Sequence, residues 1–205
     1  MIKLDLRQAK PEDINDIVII NSIGFADYMN SKMGKIYIKA FYNWFINPEK
    51  NLNGISFVVC SKMRIAGFVV GAKIGYQSSL NKYLLLPAAC GFLLRPDLLL
   101  QKRIIRASIL KLKSIFYSRT SSTQQKQLKG KGISLVGISV HPDFRGQHAG
   151  TILMHAFEKK AKESGYDYMR LTVLEKNQNA VYMYSKSGWK LLENNKGVCS
   201  YFKYL

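Results

Sequence analysis

The sequence predicts an α/β fold, a sheet flanked by helices, on three observations. Short β-rich apolar runs alternate with segments whose apolar residues recur at helical spacing. One such run, Leu135 to Val140, feeds a compact glycine-containing loop that opens directly into a helical pattern. The alternation is interrupted once, over 74–132, by a basic segment with helical patterning that reads as an insertion between the third and fourth strands.

At 205 residues the chain is long enough for one domain, 1–205, with a real core. Its 47% hydrophobic and 12% aromatic content excludes a disordered chain. The net charge of +18 predicts attraction to polyanions: nucleic acid, anionic lipid, an acidic glycan or a phosphate-bearing cofactor. Cys60, Cys90 and Cys199 are widely spaced, form no CxxC pair and read as reduced thiols. The first residues, MIKLDLRQAKPED, contain no apolar signal region, and no apolar run reaches the ~18 residues of a spanning helix. A cytoplasmic location is the expectation.

In order, Ile2 to Leu6 alternates as a first strand, and Pro11-Glu12-Asp13 opens a helix with Pro and acids in its first turn. Ile14, Ile17, Val18 and Ile20 form its apolar stripe. A second helix spans about Met33 to Phe45, where Tyr37, Phe41, Trp44 and Phe45 make an aromatic face that reads as core. Between them, Asp27 and Tyr28 sit in a loop where they line either an acceptor pocket or merely the surface. Ile55–Cys60 and Ile65–Ala72 read as a hairpin of buried strands, for which Leu135–Val140 is the natural third member.

The insertion holds eleven basic residues against Asp97 alone. Its first part, Tyr83 to Leu94, is strongly apolar and broken by Pro87, and Leu98 to Tyr117 follows as an amphipathic helical pattern. Ile105, Ile109, Leu112 and Phe116 share one face, with Lys102, Arg106 and Lys113 clustered beside it, and Lys102, Arg103, Arg106, Lys111 and Lys113 are the cations that an anionic surface would meet. Two readings stand: a helical cover with a solvated basic face, or a dock for an anionic membrane or an acidic acceptor. Nucleic acid fits poorly, because the cations lie among Leu and Ile rather than stacking aromatics. Ser118 to Gln127 is a polar linker.

The strand at 135–140 ends in turn chemistry at His141-Pro142-Asp143, and the loop Arg145-Gly146-Gln147-His148-Ala149-Gly150 precedes a helix from Thr151. A strand feeding a tight loop that opens a helix gathers unpaired N–H groups and the positive end of the helix dipole at one place, which suits a phosphate. Tyr168 to Leu174 reads as the next strand. Asn177 starts a short helix that ends at Ser187-Gly188, and Trp189–Leu192 and Val198–Leu205 close the chain as strands around the turn-rich Glu193–Gly197. Neither a Gly-Lys-Ser/Thr phosphate lysine nor a GxGxxG is present, which removes nucleoside triphosphatase and dinucleotide readings.

Two patterns together, V-x-P-x-x-R-G-x-x-x-G from Val140 and N-x-x-A-x-x-x-Y-x-x-x-G-W from Asn177, resemble the GNAT superfamily of acyl-CoA-dependent N-acetyltransferases. The resemblance spans 134–189, which makes that stretch the acetyl-CoA-binding core. It implies a mixed, largely antiparallel twisted sheet with a central parallel splay, where acetyl-CoA lies as co-substrate. The implied cofactor residues are Ile138, Ser139 and Val140 on the strand edge; Arg145, Gly146, Gln147, His148, Ala149, Gly150 and Thr151 around the pyrophosphate; and Asn177, which can equally be only a helix cap. Tyr184 matches the tyrosine that protonates the departing thiolate. One departure is His148, which stands where the family pattern has a glycine.

The general base is open among Glu175, His141 and Asp27, with Glu175 preferred. No metal is expected, since His141, His148 and His155 span a loop and a helix without a carboxylate motif. The implied function is acetyl transfer from acetyl-CoA to a primary amine, small or glycan- or lipid-linked, by direct attack in a ternary complex. The alternative is an inactive GNAT-like module that docks through its basic insertion. A homodimer stays open.

Overall fold

A computed structural model describes residues 3–25, 33–62, 64–94 and 128–205. Asp27, Tyr28 and the basic residues Lys102, Arg103, Arg106, Lys111 and Lys113 lie outside them.

Seven strands form one sheet: β1 (Asp5–Gln8), β2 (Gly54–Ser61), β3 (Arg64–Lys73), β4 (Gly132–Val140), β5 (Tyr168–Leu174), β6 (Lys190–Asn195) and β7 (Val198–Tyr204), in the order β1-β2-β3-β4-β5-β7-β6. Every pairing is antiparallel except β4 with β5. That is the mixed, mainly antiparallel sheet with one central parallel pair that the resemblance implied.

Side-chain alternation divides the core between two faces. Facing α1 (Ile14–Gly24) and α2 (Lys35–Ile46), the sheet contributes Val58, Phe68 and Val70 to a layer with Ile17, Tyr42 and Phe45. The aromatic stripe of α2 is core, as expected. The other face is covered by α5 (Ala149–Glu163) and α6 (Gln178–Lys186), which join Val59, Val69, Leu135, Leu171 and Tyr201. Leu153, Phe157 and Ala161 of α5, spaced at about one turn each, are fully buried, and each large side chain contributes about 1.5–3 kcal/mol.

Between β3 and β4 lie α3 (Gln77–Tyr83) and α4 (Leu85–Leu94). Here the structure corrects one expectation. Pro87 does not break its apolar run, because it falls in the first turn of α4, where no intrahelical N–H bond is lost. A second correction concerns the last hairpin: β6 continues to Asn195, and the turn is only Lys196-Gly197. Both residues have positive φ, 52° and 77°, the conformation that two-residue hairpins require. The first strand is also displaced, to Asp5–Gln8, because its ladder with β2 runs from Asp5↔Cys60 to Gln8↔Phe57.

Strand β1 is clamped to the chain that follows it. The Arg7 guanidinium donates to both carboxylate oxygens of Asp13 at 2.7 Å, and the Lys10 N–H donates to the same carboxylate at 2.8 Å. Burial pushes the Asp13 carboxyl up, yet the Arg7 and Lys10 hydrogen bonds outweigh it and hold the group below its usual range. A depressed carboxylate contributes stability above its unfolded value, about 3.9, and loses it as pH falls through the folded value. Arg7→Ala should therefore cost about 1–2 kcal/mol at pH 7, discounted because Arg7 is half exposed. The difference in Tm from the parent should shrink below pH 4. Thermal unfolding between pH 7 and 2 checks this; an equal difference at both ends would contradict it.

Among the described residues no helix is long and apolar enough to cross a membrane.

Candidate active site

The site begins with how β4 is built. Its apolar run is interrupted by Gly137, and a glycine inside a strand marks a bulge. Against β3 the register is Val70↔Gly137 and then Gly71↔Leu135, so Val136 is the extra residue and β4 bends there.

The bend separates β4 from its parallel neighbour. β4 and β5 pair only over Gly132–Ser134 and Tyr168–Arg170. Beyond that point β4 stays on β3 as far as Val140↔Gly67, while β5 stays on β7 as far as Leu174↔Val198. A wedge therefore opens in mid-sheet, with the edge of Leu135–Val140, including Ile138, Ser139 and Val140, facing it. Backbone N–H and C=O groups on such an edge pair readily with an extended ligand arm.

Because the two strands are parallel, the segments that follow them lie at the same end of the sheet. After β4 comes a short 3-10 turn, Pro142–Phe144, capped by His141, whose Nδ1 accepts the Asp143 N–H at 3.3 Å. Gly146 and His148 then adopt left-handed φ values of 74° and 63°. This explains why a glycine suits position 148: a side chain there costs about 1–2 kcal/mol. The helix starts at Ala149, two residues earlier than expected, with His148 as its N-cap and no side-chain bond to it. The N–H groups from Gly146 to Thr151 find no acceptor among the described residues and gather where α5 begins. An ideal Cβ at Gly146 would meet nothing within 4 Å, and one at Gly150 only Val140 at 3.7 Å, so the concavity is open. Arg145 is exposed beside it, its Nε–H donating to the Val140 carbonyl at 3.4 Å, and Gln147 donates to the Asp143 carbonyl at 3.1 Å. The fit to a pyrophosphate is good: free donors, room and the positive end of a 15-residue helix.

After β5, Asn177 caps α6, its Oδ1 accepting the Ala180 N–H at 3.3 Å. The cap role is thus present. Tyr184 is buried on the same face of the sheet, its ring 5.8 Å from Trp189 and 6.2 Å from Tyr201. It shares an apolar cluster with Ile138 and Val140. Glu175 lies at the end of β5, exposed, and accepts the Asn194 amide at 2.9 Å. The loop, the strand edge, Asn177, Glu175 and Tyr184 thus belong to the two strands that diverge and to the segments directly after them.

On the opposite face the structure shows a feature that sequence reasoning did not single out. The Tyr42 hydroxyl donates to Asn21 Oδ1 at 2.6 Å, both residues buried, and a Cβ at Gly137 would lie 3.8 Å from that hydroxyl oxygen. Burial pushes the Tyr42 phenol well above its usual range, so it stays neutral. The signal was an Asn within the apolar stripe of α1 and a Tyr within that of α2. Gly24, at the end of α1, packs directly on Ser139. Among the described residues no group of three or more His, Cys, Asp or Glu could hold a metal ion.

Residues 107–189 match the model of the acetyltransferase (GNAT) family. A comparison with curated proteins finds no match. Solved structures similar to this chain include the PaiA N-acetyltransferase of Thermoplasma acidophilum in complex with coenzyme A (14% identity, 99% of both chains, TM-score 0.57). Others are an N-acetyltransferase from Staphylococcus aureus Mu50 (16%, 98% of both, TM-score 0.61) and a polyamine N-acetyltransferase of Drosophila melanogaster that forms N-acetylagmatine (11%, 99% of this chain and 100% of that, TM-score 0.63). At these identities the likeness is one of fold.

Proposed function

We propose that this chain, whose residues 107–189 match the acetyltransferase (GNAT) family, moves an acetyl group from acetyl-CoA to a primary amine. The observation that carries the proposal is the wedge between β4 and β5, with the donor-rich loop of Gly146–Thr151 at its wide end. When bound, the co-substrate supplies an acyl thioester. The loop amides and Arg145 hold its pyrophosphate, the edge of Ile138–Val140 pairs with its pantetheine arm, and Asn177 adds a polar contact from α6.

The protein's own part in the chemistry is placement and proton movement. A β4 N–H facing the wedge stabilises the negative charge that grows on the thioester oxygen as the amine attacks. The new C–N bond forms as the C–S bond breaks. Tyr184 delivers its phenolic proton to the departing sulfur, and Glu175 takes the proton lost by the amine, directly or through water. Amine and thioester are held together in one complex, which lowers the entropic part of the barrier.

Calorimetry with acetyl-CoA, joined to thiol release across a panel of amines, tests the reading. Binding together with release that depends on an added amine is expected. Tight binding with no turnover on any amine would make the chain a binding module instead.

A further inference from the structure

The two sides of the wedge differ. On the α5/α6 side, Leu171, Val173 and Tyr184 are buried in one apolar cluster, with Ile138 and Val140 packed on it. The other side is open: Thr172 is exposed although β5 is a central strand. Strand alternation puts Arg170 on that open side with Thr172, and the register with β7 sets Phe202 and Ser200 beside them. Arg170 is half-buried and makes no hydrogen bond, ion pair or ring contact among the described residues. We infer that Arg170 binds an oxyanion, carboxylate or phosphate, carried by the acceptor, so that the acceptors are anionic amines; the inference rests on the function proposed above.

Position, surroundings and charge select that ligand. Arg170 pairs with Ser134 in the last rung before β4 and β5 part, so it stands at the narrow end of the wedge. An arm that starts at the Gly146–Thr151 loop and runs along Val140, Ser139 and Ile138 brings its reactive end towards that rung. Val136, the bulge residue, lies two residues or about 7 Å beyond Ser134, a span that an oxyanion a few bonds from the attacking nitrogen covers. Arg170 lies among aromatic groups. Burial pushes the Tyr76 phenol up to about 12 with the Arg170 charge opposing the rise, and the same charge acts on Tyr168. Asp167, which also acts on Tyr168, is engaged by the Lys131 N–H. A guanidinium drawn partly out of water with no carboxylate to meet it keeps an unused fork of donors, whose geometry matches a carboxylate or a phosphate in two parallel bonds. On this side β5, β7 and β6 carry one further cation, Lys190, in the Arg170–Phe202 row. Their one carboxylate, Glu193, belongs to the Thr172–Ser200 row instead.

The experiment measures thiol release from acetyl-CoA with matched amines: β-alanine against propylamine for a carboxylate, and phosphoethanolamine against ethanolamine for a phosphate. On the parent chain kcat/KM should be about tenfold to hundredfold higher for the anionic member of at least one pair, and the pair that shows it identifies the oxyanion. Arg170→Gln should remove most of that ratio through KM rather than kcat, and Arg170→Lys, which keeps the charge but not the fork, should retain part of it. A merely structural side chain would instead depress both members of a pair alike. Neutral amines used as well as anionic ones by the parent, or equal loss on both members in Arg170→Gln, overturns the assignment and leaves the acetyltransferase reading intact. So does turnover confined to amines without an oxyanion. Failure of every amine to support release overturns both readings.

Discussion

Replacing Tyr184 by Phe is expected to lower kcat by roughly 10²–10³-fold while the Kd for acetyl-CoA changes less than threefold, the size of effect that loss of one general acid produces. The substitution keeps the ring, its 5.8 Å contact with Trp189 and its 6.2 Å contact with Tyr201, so the packing of α6 on the sheet survives. Only the phenolic oxygen and proton are lost. If instead kcat stays within twofold and only Tm falls, Tyr184 is a core residue whose position after Asn177 reflects packing alone.

How much of this was legible before the structure depends on the range of the forces involved. Strands and helices whose signal is a local apolar period, such as α2 with Tyr37, Phe41, Trp44 and Phe45, appear where the period places them. The loop after β4 is found as well, shortened to 145–148 because the helix begins at Ala149; a helix N-terminus after a strand is a short-range pattern. The wedge was expected only through resemblance to a family. Nothing in Leu135–Val140 or Leu171–Leu174 taken singly states that two parallel strands part after three residue pairs; that is decided by the bulge at Val136 and by β7 holding β5.

The turn at Lys196-Gly197 was read as a longer loop for a different reason. Glu193, Asn194 and Asn195 have low strand propensity, and ladder bonds to Val198, Cys199 and Ser200 override it. The Asn21–Tyr42 bond was equally out of reach, since it joins positions 21 residues apart that look like two separate core stripes. The left-handed backbone at His148 was visible in part. A histidine in the place of a family glycine signals strain, but only the φ of 63° turns the signal into a cost.

Gly71→Ala should be the most damaging single methyl group in the molecule, and the bulge is the reason. An ideal Cβ at Gly71 would overlap the backbone oxygen of Ser134 on one side and the ring of Phe157 on the other. Phe157 is fully buried in the middle of α5, and the Ser134 carbonyl belongs to the last residue pair that joins β4 to β5. Neither can yield without moving the helix that carries the loop or the strand that lines the wedge. Overpacking of this kind costs about 3 kcal/mol, or a fall in Tm of roughly 6–12 °C for a chain of this size. Acetyl-CoA affinity should fall with it, because the direction of β4 beyond Val136 is fixed against Gly71. Adding Phe157→Leu to Gly71→Ala separates the two clashes: the ring clash is relieved and the backbone clash is not. The double variant should recover part of the stability but little of the binding, a coupling that thermal unfolding and calorimetry on the four members of the cycle would measure. Full recovery of both would show that the β4 backbone adapts freely, and that the position of the wedge is set by β5 and β7 rather than by the bulge.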